Sequence, residues 1–338
     1  MRNTRRTVAL TVLLLLHLGV LAAGFLVPYD PAEQDRGLPW APPSRIRFID
    51  SAGRIHFRPF VYVQIPDRES GGYVESHSQR YPLRFLVHGA SYSVLGLFDS
   101  DLHLVGVAPP ARLSLLGRDD LGRDVFSRLV VGGRISLATG LLAAVVTLSL
   151  GVVLGSLSGY FGGRIDDLLM RFSELFMALP WLYLLLAIRA LLPRSISSQE
   201  TFFLLIFLLG AVGWARPARL VRGVVLSVRN SPYIEAARGL GAHTARVIGL
   251  HVLPQTRQVV FTQAALLIPQ YILAEVTLSF LGLGISEPTP SWGTMLKTAQ
   301  GHAVIAVPYW WMLSPAVALM FLFVAYHQLA RSFQTSPE

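Results

Sequence analysis

Long apolar runs, broken by short polar stretches, set the pattern of this chain. A bilayer core about 30 Å thick takes roughly 20 apolar residues in a helix, because lipid offers no partner for a free backbone group. Six runs meet or approach that length: Val8–Val27, Ile135–Leu157, Leu175–Leu192, Thr201–Leu220, Val259–Ile285 and Ala303–Tyr326. The first follows Arg2, Arg5 and Arg6 and has only His17 as a polar interruption. The apolar core of a cleavable signal is shorter, about 7 to 15 residues, so an uncleaved helix is expected. Ile135–Leu157 is uncharged and carries Gly151 and Gly155, with Gly159 just past its end. Steps of four residues put bare backbone along one stripe, which predicts close packing on another helix. Leu175–Leu192 is weaker, since Pro180 interrupts its hydrogen-bond ladder and Arg189 lies near its end, where the side chain can snorkel. Thr201–Leu220 is apolar as far as Ala215 and then meets Arg216 and Arg219, as at an interface. The fifth run holds one acid, Glu275, and the sixth none.

Composition agrees with this pattern. Of 338 residues, 52% are hydrophobic and only 14% charged, too few to cover a water-facing surface. Disordered, collagen-like and coiled-coil classes are excluded by the same figures. With no cysteine, a disulfide framework, a cysteine-ligated zinc site and a thiol nucleophile are excluded as well. The net charge is +9 and Lys297 is the only lysine, so arginine carries nearly all the positive charge. In a membrane protein such an excess orients loops rather than binding nucleic acid. Three arginines precede the first run, and Arg216 to Arg257 holds seven against one acid, Glu235. Four spans separate the two groups, so both are expected in the cytoplasm. Arg118, Arg123, Arg128 and Arg134 fall on the expected outer side, partly offset by Asp119, Asp120 and Asp124. Long loops cross the membrane largely regardless of charge, and the assignment stands.

The expected fold is therefore an all-α polytopic membrane protein with six transmembrane helices and a large, partly β extracytoplasmic loop after the first. Residues 1–27 form a cytoplasmic tail and the first helix, and residues 28–134 the outer loop. Residues 135–330 form a five-helix core with a cytoplasmic loop at 216–257, and residues 331–338 a cytoplasmic tail. Within the outer loop, Ile46–Asp50 and Arg54–Ile65 alternate apolar and polar positions around Ser51-Ala52-Gly53, which predicts a hairpin. The loop reads either as a cap on the helices or as a docking surface.

The loop 216–257 is long for a connection and has the marks of structure. Ser231 can cap a helix, Pro232 suits its first position, Glu235 favours the positive end of its dipole, and Gly241 can close it. Thr244 then opens a second helix, Ala245–Leu253, which Pro254 is expected to end. Two short helices joined at a glycine and held by spans at both ends make a rigid knob. The arginines also allow an amphipathic pair resting on anionic lipid. A DNA-binding helix-turn-helix shares the outline, but tethering to the membrane at both ends disfavours it.

Glu235-Ala236-Ala237, Gly241 and Leu253-Pro254 resemble the EAA motif of permease subunits of binding-protein-dependent ABC importers. His251 stands where the general motif has isoleucine; the peptide-importer branch often has histidine there. Leu115–Leu137, LLGRDDLGRDVFSRLVVGGRISL, is similar to the segment entering the second span of dipeptide and oligopeptide permeases. Thr277–Leu296, TLSFLGLGISEPTPSWGTML, looks like the segment closing their fifth. The resemblance covers about Leu115 to Ala330 and the first span; the outer loop from Ala41 to Ala111 is longer than in common dipeptide members. It implies that the knob is a coupling helix seated in a groove of a cytoplasmic ATPase. It also implies a second homologous permease, two ABC ATPase subunits, an extracytoplasmic solute-binding protein and a prokaryotic cytoplasmic (inner) membrane. ATP and magnesium would belong to the ATPases, and peptides would be the cargo, with nickel chelates or another small solute as the alternative.

The chain's own residues offer no catalytic set. A phosphate loop needs G-x-x-x-x-G-K-[ST], whereas Lys297 follows Leu296. No H-E-x-x-H and no G-x-S-x-G occurs, and the histidines lack metal spacing. Glu275, an acid deep in a late span, is a candidate for the solute path by default; pairing with an arginine or reaching headgroups is the alternative. Pro180, after Ala178-Leu179, resembles the family's helix kink in the third span, where loss of one backbone hydrogen bond either lets the helix bend as the pathway opens or is merely tolerated. A secondary transporter is the rival function, but neither an internal repeat nor a midplane cluster of ionisable residues is visible.

Overall fold

The structure, a computed structural model, describes residues 2–67, 71–94, 96–191, 196–300 and 309–334. Helices α1 (Arg2–Leu21) and α2 (Ala23–Leu26) precede five strands: β1 (Arg47–Ile49), β2 (Ile55–Pro66), β3 (Tyr73–Pro82), β4 (Arg84–Val94) and β5 (Phe98–Gly106). Ten helices follow: α3 (Val125–Phe161), α4 (Gly163–Ala178), α5 (Trp181–Leu191), α6 (Ser198–Gly213), α7 (Ala215–Val228), α8 (Pro232–Gly239), α9 (Thr244–Val247), α10 (Leu253–Phe280), α11 (Trp292–Gln300) and α12 (Ser314–Gln334). A π-turn, Ile248–Val252, joins α9 to α10, and a 3-10 turn, Trp310–Leu313, leads into α12.

Among the described residues, three runs are long and apolar enough to cross a membrane: Val125–Phe161, Thr244–Phe280 and Trp310–Phe333. A fourth results if α6 and α7, bent by 43°, count as one. The apolar part of α1, Arg6–Leu21, is shorter. Residues 303–308 of the sixth expected run and Leu192 of the third lie outside the described residues.

Two prolines act differently from the sequence expectation. The third run is not one helix: α4 ends at Ala178, Leu179 is extended (φ −71°, ψ 129°), and α5 starts after Pro180. The proline ring excludes helical backbone from the residue before it, so Pro180 breaks the run instead of kinking it. Pro254, expected to end a helix, lies inside the run Thr244–Phe280. The π-turn accommodates it. The Leu253 amide bonds to the Ile248 carbonyl, five residues back, and this widens the turn just ahead of a residue that cannot donate and whose ring crowds a regular helix.

The chain divides into two compact units, one of Met1–Leu13, Leu137–Leu278 and Leu322–Glu338, the other of Leu14–Ser136 and Ser279–Phe321. In the first unit, the stripe of Gly151, Gly155 and Gly159 on α3 lies against α7. A Cβ at these glycines would stand 2.7 Å from Pro217 Cβ, 2.4 Å from the Ala218 carbonyl oxygen and 2.8 Å from Val225 Cβ. On another side of α7, Arg222 clasps Asp166 of α4 through two bonds of 2.5 and 2.6 Å, and Arg219 meets Glu174 at 2.7 Å. The Arg222 bonds hold the Asp166 carboxyl below the usual carboxylate range. Trp214, at the bend before α7, packs against Phe172 and Phe176 of α4.

In the second unit the expected hairpin forms. β1, β2 and β3 make an antiparallel sheet in that order, and β4 pairs with β5. Asp50 closes the first turn by accepting from the amides of Ala52 and Arg54 at 3.0 and 2.9 Å. Val61, Tyr81, Leu83, Ala111 and Leu113 form the core beneath the strands. The segment before α3 then buries its charges. Arg118, Asp119, Arg123, Asp124 and Arg128 are each no more than 4% exposed. Arg123 reaches Asp119 at 2.7 Å and Glu287 at 2.8 Å, and Arg128 reaches the other Glu287 oxygen at 2.6 Å. Gly122 permits this fold: its φ is +72°, and a Cβ there would lie 1.9 Å from the Asp35 carbonyl oxygen. Burial pushes the Asp124 carboxyl up to about 6 against hydrogen bonds from Ser127. Arg134 donates to the Val20 and Leu21 carbonyls. Trp292 donates to the Leu129 carbonyl, and Gly132 abuts Ser291, so two of the three stretches that carry the family resemblance, Leu115–Leu137 and Thr277–Leu296, meet each other here.

Two substitutions test these seats. Gly155→Ala, pressed onto a carbonyl, is expected to lower the unfolding free energy by about 1–3 kcal/mol, whereas Gly223→Ala, with nothing within 4 Å, stabilises α7 by up to about 1 kcal/mol. Thermal unfolding of the detergent-purified protein measures both, and the opposite order would refute the tight α3–α7 contact. Arg128→Ala removes one of the two arginines that hold Asp119 and Glu287, leaves Arg123 on both, and is expected to cost about 1–3 kcal/mol. An unchanged midpoint of thermal unfolding would show that this network does not hold the segment.

Candidate functional site

The knob between α7 and α10 is built from local rules and one non-local contact. Pro232 occupies the first turn of α8, and the Ile234 and Glu235 amides bond to the Ser231 carbonyl. Ser231 has the extended backbone of a cap, but its side chain makes no capping bond. The helix ends in a full Schellman turn: the Gly241 amide bonds to the Arg238 carbonyl, and the Ala242 amide to the Ala237 carbonyl. Gly241 has φ +81°, a conformation open to glycine at no steric cost.

Ile234 seats the knob. It is fully buried with Val221 and Val225 of α7, Val247 of α9 and Val252 of the π-turn, and Ala242 and Tyr160 pack around them. Arg238 adds a second hold, its guanidinium carbon 5.1 Å from the Tyr160 ring centre at the end of α3. Arg229 donates to the Gly159 carbonyl at 3.0 Å. Sequence reading missed Ile234 and its four valine neighbours; the only local signal is one aliphatic residue flanked by polar or small ones in α8.

The motif residues divide accordingly. Glu235, Ala236 and Gly241 are exposed and Ala237 is half-buried, all on α8 or its closing turn. His251 and Leu253 are half-buried and Pro254 is exposed, at the passage from π-turn to α10. The buried valines bring both halves onto one support. Facing outward are Tyr233, Leu240 and Leu250, 46%, 89% and 61% exposed, an apolar set that suits a protein partner.

The other candidate residues lie elsewhere in the same unit. Pro180 adjoins a cavity of about 320 Å³ whose lining includes Leu179, Trp181 and Tyr271. Glu275 does not line it and is completely buried on α10, so the carboxylate does not reach out to headgroups. Among the described residues, no group of three or more histidines and acids is placed to hold a metal.

Residues 151–335 match the family described as the inner membrane component of binding-protein-dependent transport systems. The chain belongs to the permease subunits of binding-protein-dependent ABC importers. The match begins at the glycine stripe and takes in the knob, so the family's shared part is the helical framework described above. The oligopeptide transport system permease OppC of Bacillus subtilis is 37% identical to this permease over 67% of its chain and 69% of the relative. The dipeptide permease DppC of the same organism is 38% identical over 67% and 68%. OppC of Haemophilus influenzae is 36% identical over 65% and 69%. These relatives are transport subunits, not ATPases.

If Ile234 seats this permease's knob, Ile234→Ala is expected to weaken that seat by about 2–4 kcal/mol and to expose α8 to protease, with the rest of the helical framework intact. Limited proteolysis with mass spectrometry reads this directly. Cleavage within residues 232–243 no faster than in the wild type would show that the seat lies elsewhere.

Proposed function

We propose that the knob couples this permease to a cytoplasmic ATPase and that the importer takes up peptides. Six spans place both termini and the loop 216–257 in the cytoplasm, with residues 28–134 outside. The permease pairs with a second, homologous one; two ATPase subunits supply ATP hydrolysis with magnesium, and an extracytoplasmic solute-binding protein delivers the cargo. Peptides are favoured because the relatives named above are oligopeptide and dipeptide permeases.

One observation carries this reading: a short helix with an exposed apolar and acidic outer face is fixed to the framework through a buried isoleucine. A docked partner moving α8 would act on α7 through Ile234 and on the base of α10 through Val247 and Val252. Closure of the ATPase pair on ATP would then tilt these helices between inward- and outward-open states, a coupling free energy between separated sites. Alternating access by rocking of helical groups needs such a rigid lever.

Gly241→Asp tests the lever. Nothing lies within 4 Å of the site, so the side chain fits, but the positive φ disfavours it and the added charge sits on the docking face. The variant is expected to reach the membrane and still copurify with ATPase, while ATP-driven uptake falls at least about tenfold, a loss of about 1.4 kcal/mol in coupling. Normal uptake with ATPase bound would refute the coupling role.

A further inference from the structure

Helix α7 carries three arginines at three-residue steps, and two of them are spoken for. Arg219 pairs with Glu174 and Arg222 with Asp166, both from α4. Arg216, one turn earlier, has neither an ion pair nor a hydrogen bond to any other described residue. It lines the 320 Å³ cavity beside the Leu179–Pro180 break, at the lower end of the size range for small-molecule sites. The cavity walls are mainly apolar, with three further polar side chains, Gln263, Gln270 and Tyr271, and no acid. The Tyr271 hydroxyl is engaged with that of Thr147 at 2.9 Å. The two glutamines are seven residues apart on α10, hence on one helical face, and neither bonds to another described residue.

We propose that this cavity is a contact point for the solute in transit, in which Arg216 receives a carboxylate and Gln263 and Gln270 serve neighbouring amide groups. The inference rests on the importer reading with peptide cargo and gives it a site. Arg216 and Gln270 are exposed and Gln263 is buried, so the guanidinium stands at the open side of a mostly apolar cavity, without the carboxylate that each of its siblings has. A planar carboxylate fits its fork through two parallel bonds. A carboxamide both donates and accepts, which matches a peptide group and no simple anion. A positively charged cargo, such as a cationic metal chelate, is repelled by the same arrangement. The carboxylate can be the peptide's terminus or an acidic side chain.

The test uses the whole importer, with both permeases, ATPases and binding protein, in proteoliposomes. Uptake of trialanine, trialanine amide and an amidated alanine peptide containing one aspartate is compared for wild type, Arg216→Gln and Arg216→Lys, after correction for each peptide's affinity for the binding protein. Arg216→Gln is expected to cut uptake of a carboxylate-bearing peptide about tenfold or more and to leave trialanine amide unchanged. Arg216→Lys is expected to retain part of the difference. Selective loss of trialanine assigns the terminus, and selective loss of the aspartate peptide assigns the side chain. Equal loss for all three peptides, or no loss, overturns the contact. Wild-type importer that carries none of the three while hydrolysing ATP overturns the peptide reading and this inference with it, an outcome distinct from the others.

Discussion

The missing side chains at Gly151, Gly155 and Gly159 are the condition on which the helical framework depends. They let α7 approach α3 until backbone meets backbone, with the Ala218 carbonyl where a Cβ would otherwise stand. In a helical membrane protein the hydrophobic effect gives little reason for helices to associate, and close packing must supply it. With α7 fixed there, another side takes α4 through two salt bridges, while Val221 and Val225, which abut Gly155 and Gly159, also receive Ile234. Bulk on the stripe would therefore disturb the knob without touching it.

A second constraint concerns charge. Arg118, Arg123, Arg128 and Arg134 run against the arginine asymmetry expected from the sequence, and in the structure they are engaged within the protein. Three are buried, two of them paired with Asp119 and Glu287, and Arg134 is bonded to carbonyls of α1. Such residues are internal ties, not free loop charges. Burying ions is costly unless each finds partners, so the segment is a fixed structure and not a flexible approach to α3.

What was legible in the sequence follows the range of the forces involved. The hairpin at Ser51–Gly53, the start of α8 at Pro232 and its end at Gly241 are local, set by residues within a few positions of one another. Apolar length likewise marks α3, α10 and α12. The two prolines were harder, because a proline's effect depends on what the surrounding helix can do. At Pro180 the preceding residue left the helix; at Pro254 a π-turn took up the strain and the helix went on. Ile234 was invisible for a different reason. Its importance comes from Val221 and Val225, on another helix, and from valines beyond a turn. The Schellman turn that aims α8 is local, and the pocket that seats it is not.

These features converge on α7. Its first turn contributes Arg216 to the cavity, its middle lies on the glycine stripe, and its last turns hold Ile234. From Arg216 to Val225 is nine residues, about 14 Å of helical rise, so a short rigid rod joins the proposed solute contact to the seat of Ile234. The 43° bend at Trp214 marks the upper end of that rod, where α6 departs in another direction. If the proposed push enters at Ile234, α7 carries it as one stiff element toward Arg216, and the joint at Trp214 takes up the change of angle, where Trp214, Ala215 and Ala218 pack with Leu154 of α3 and Phe172 and Phe176 of α4.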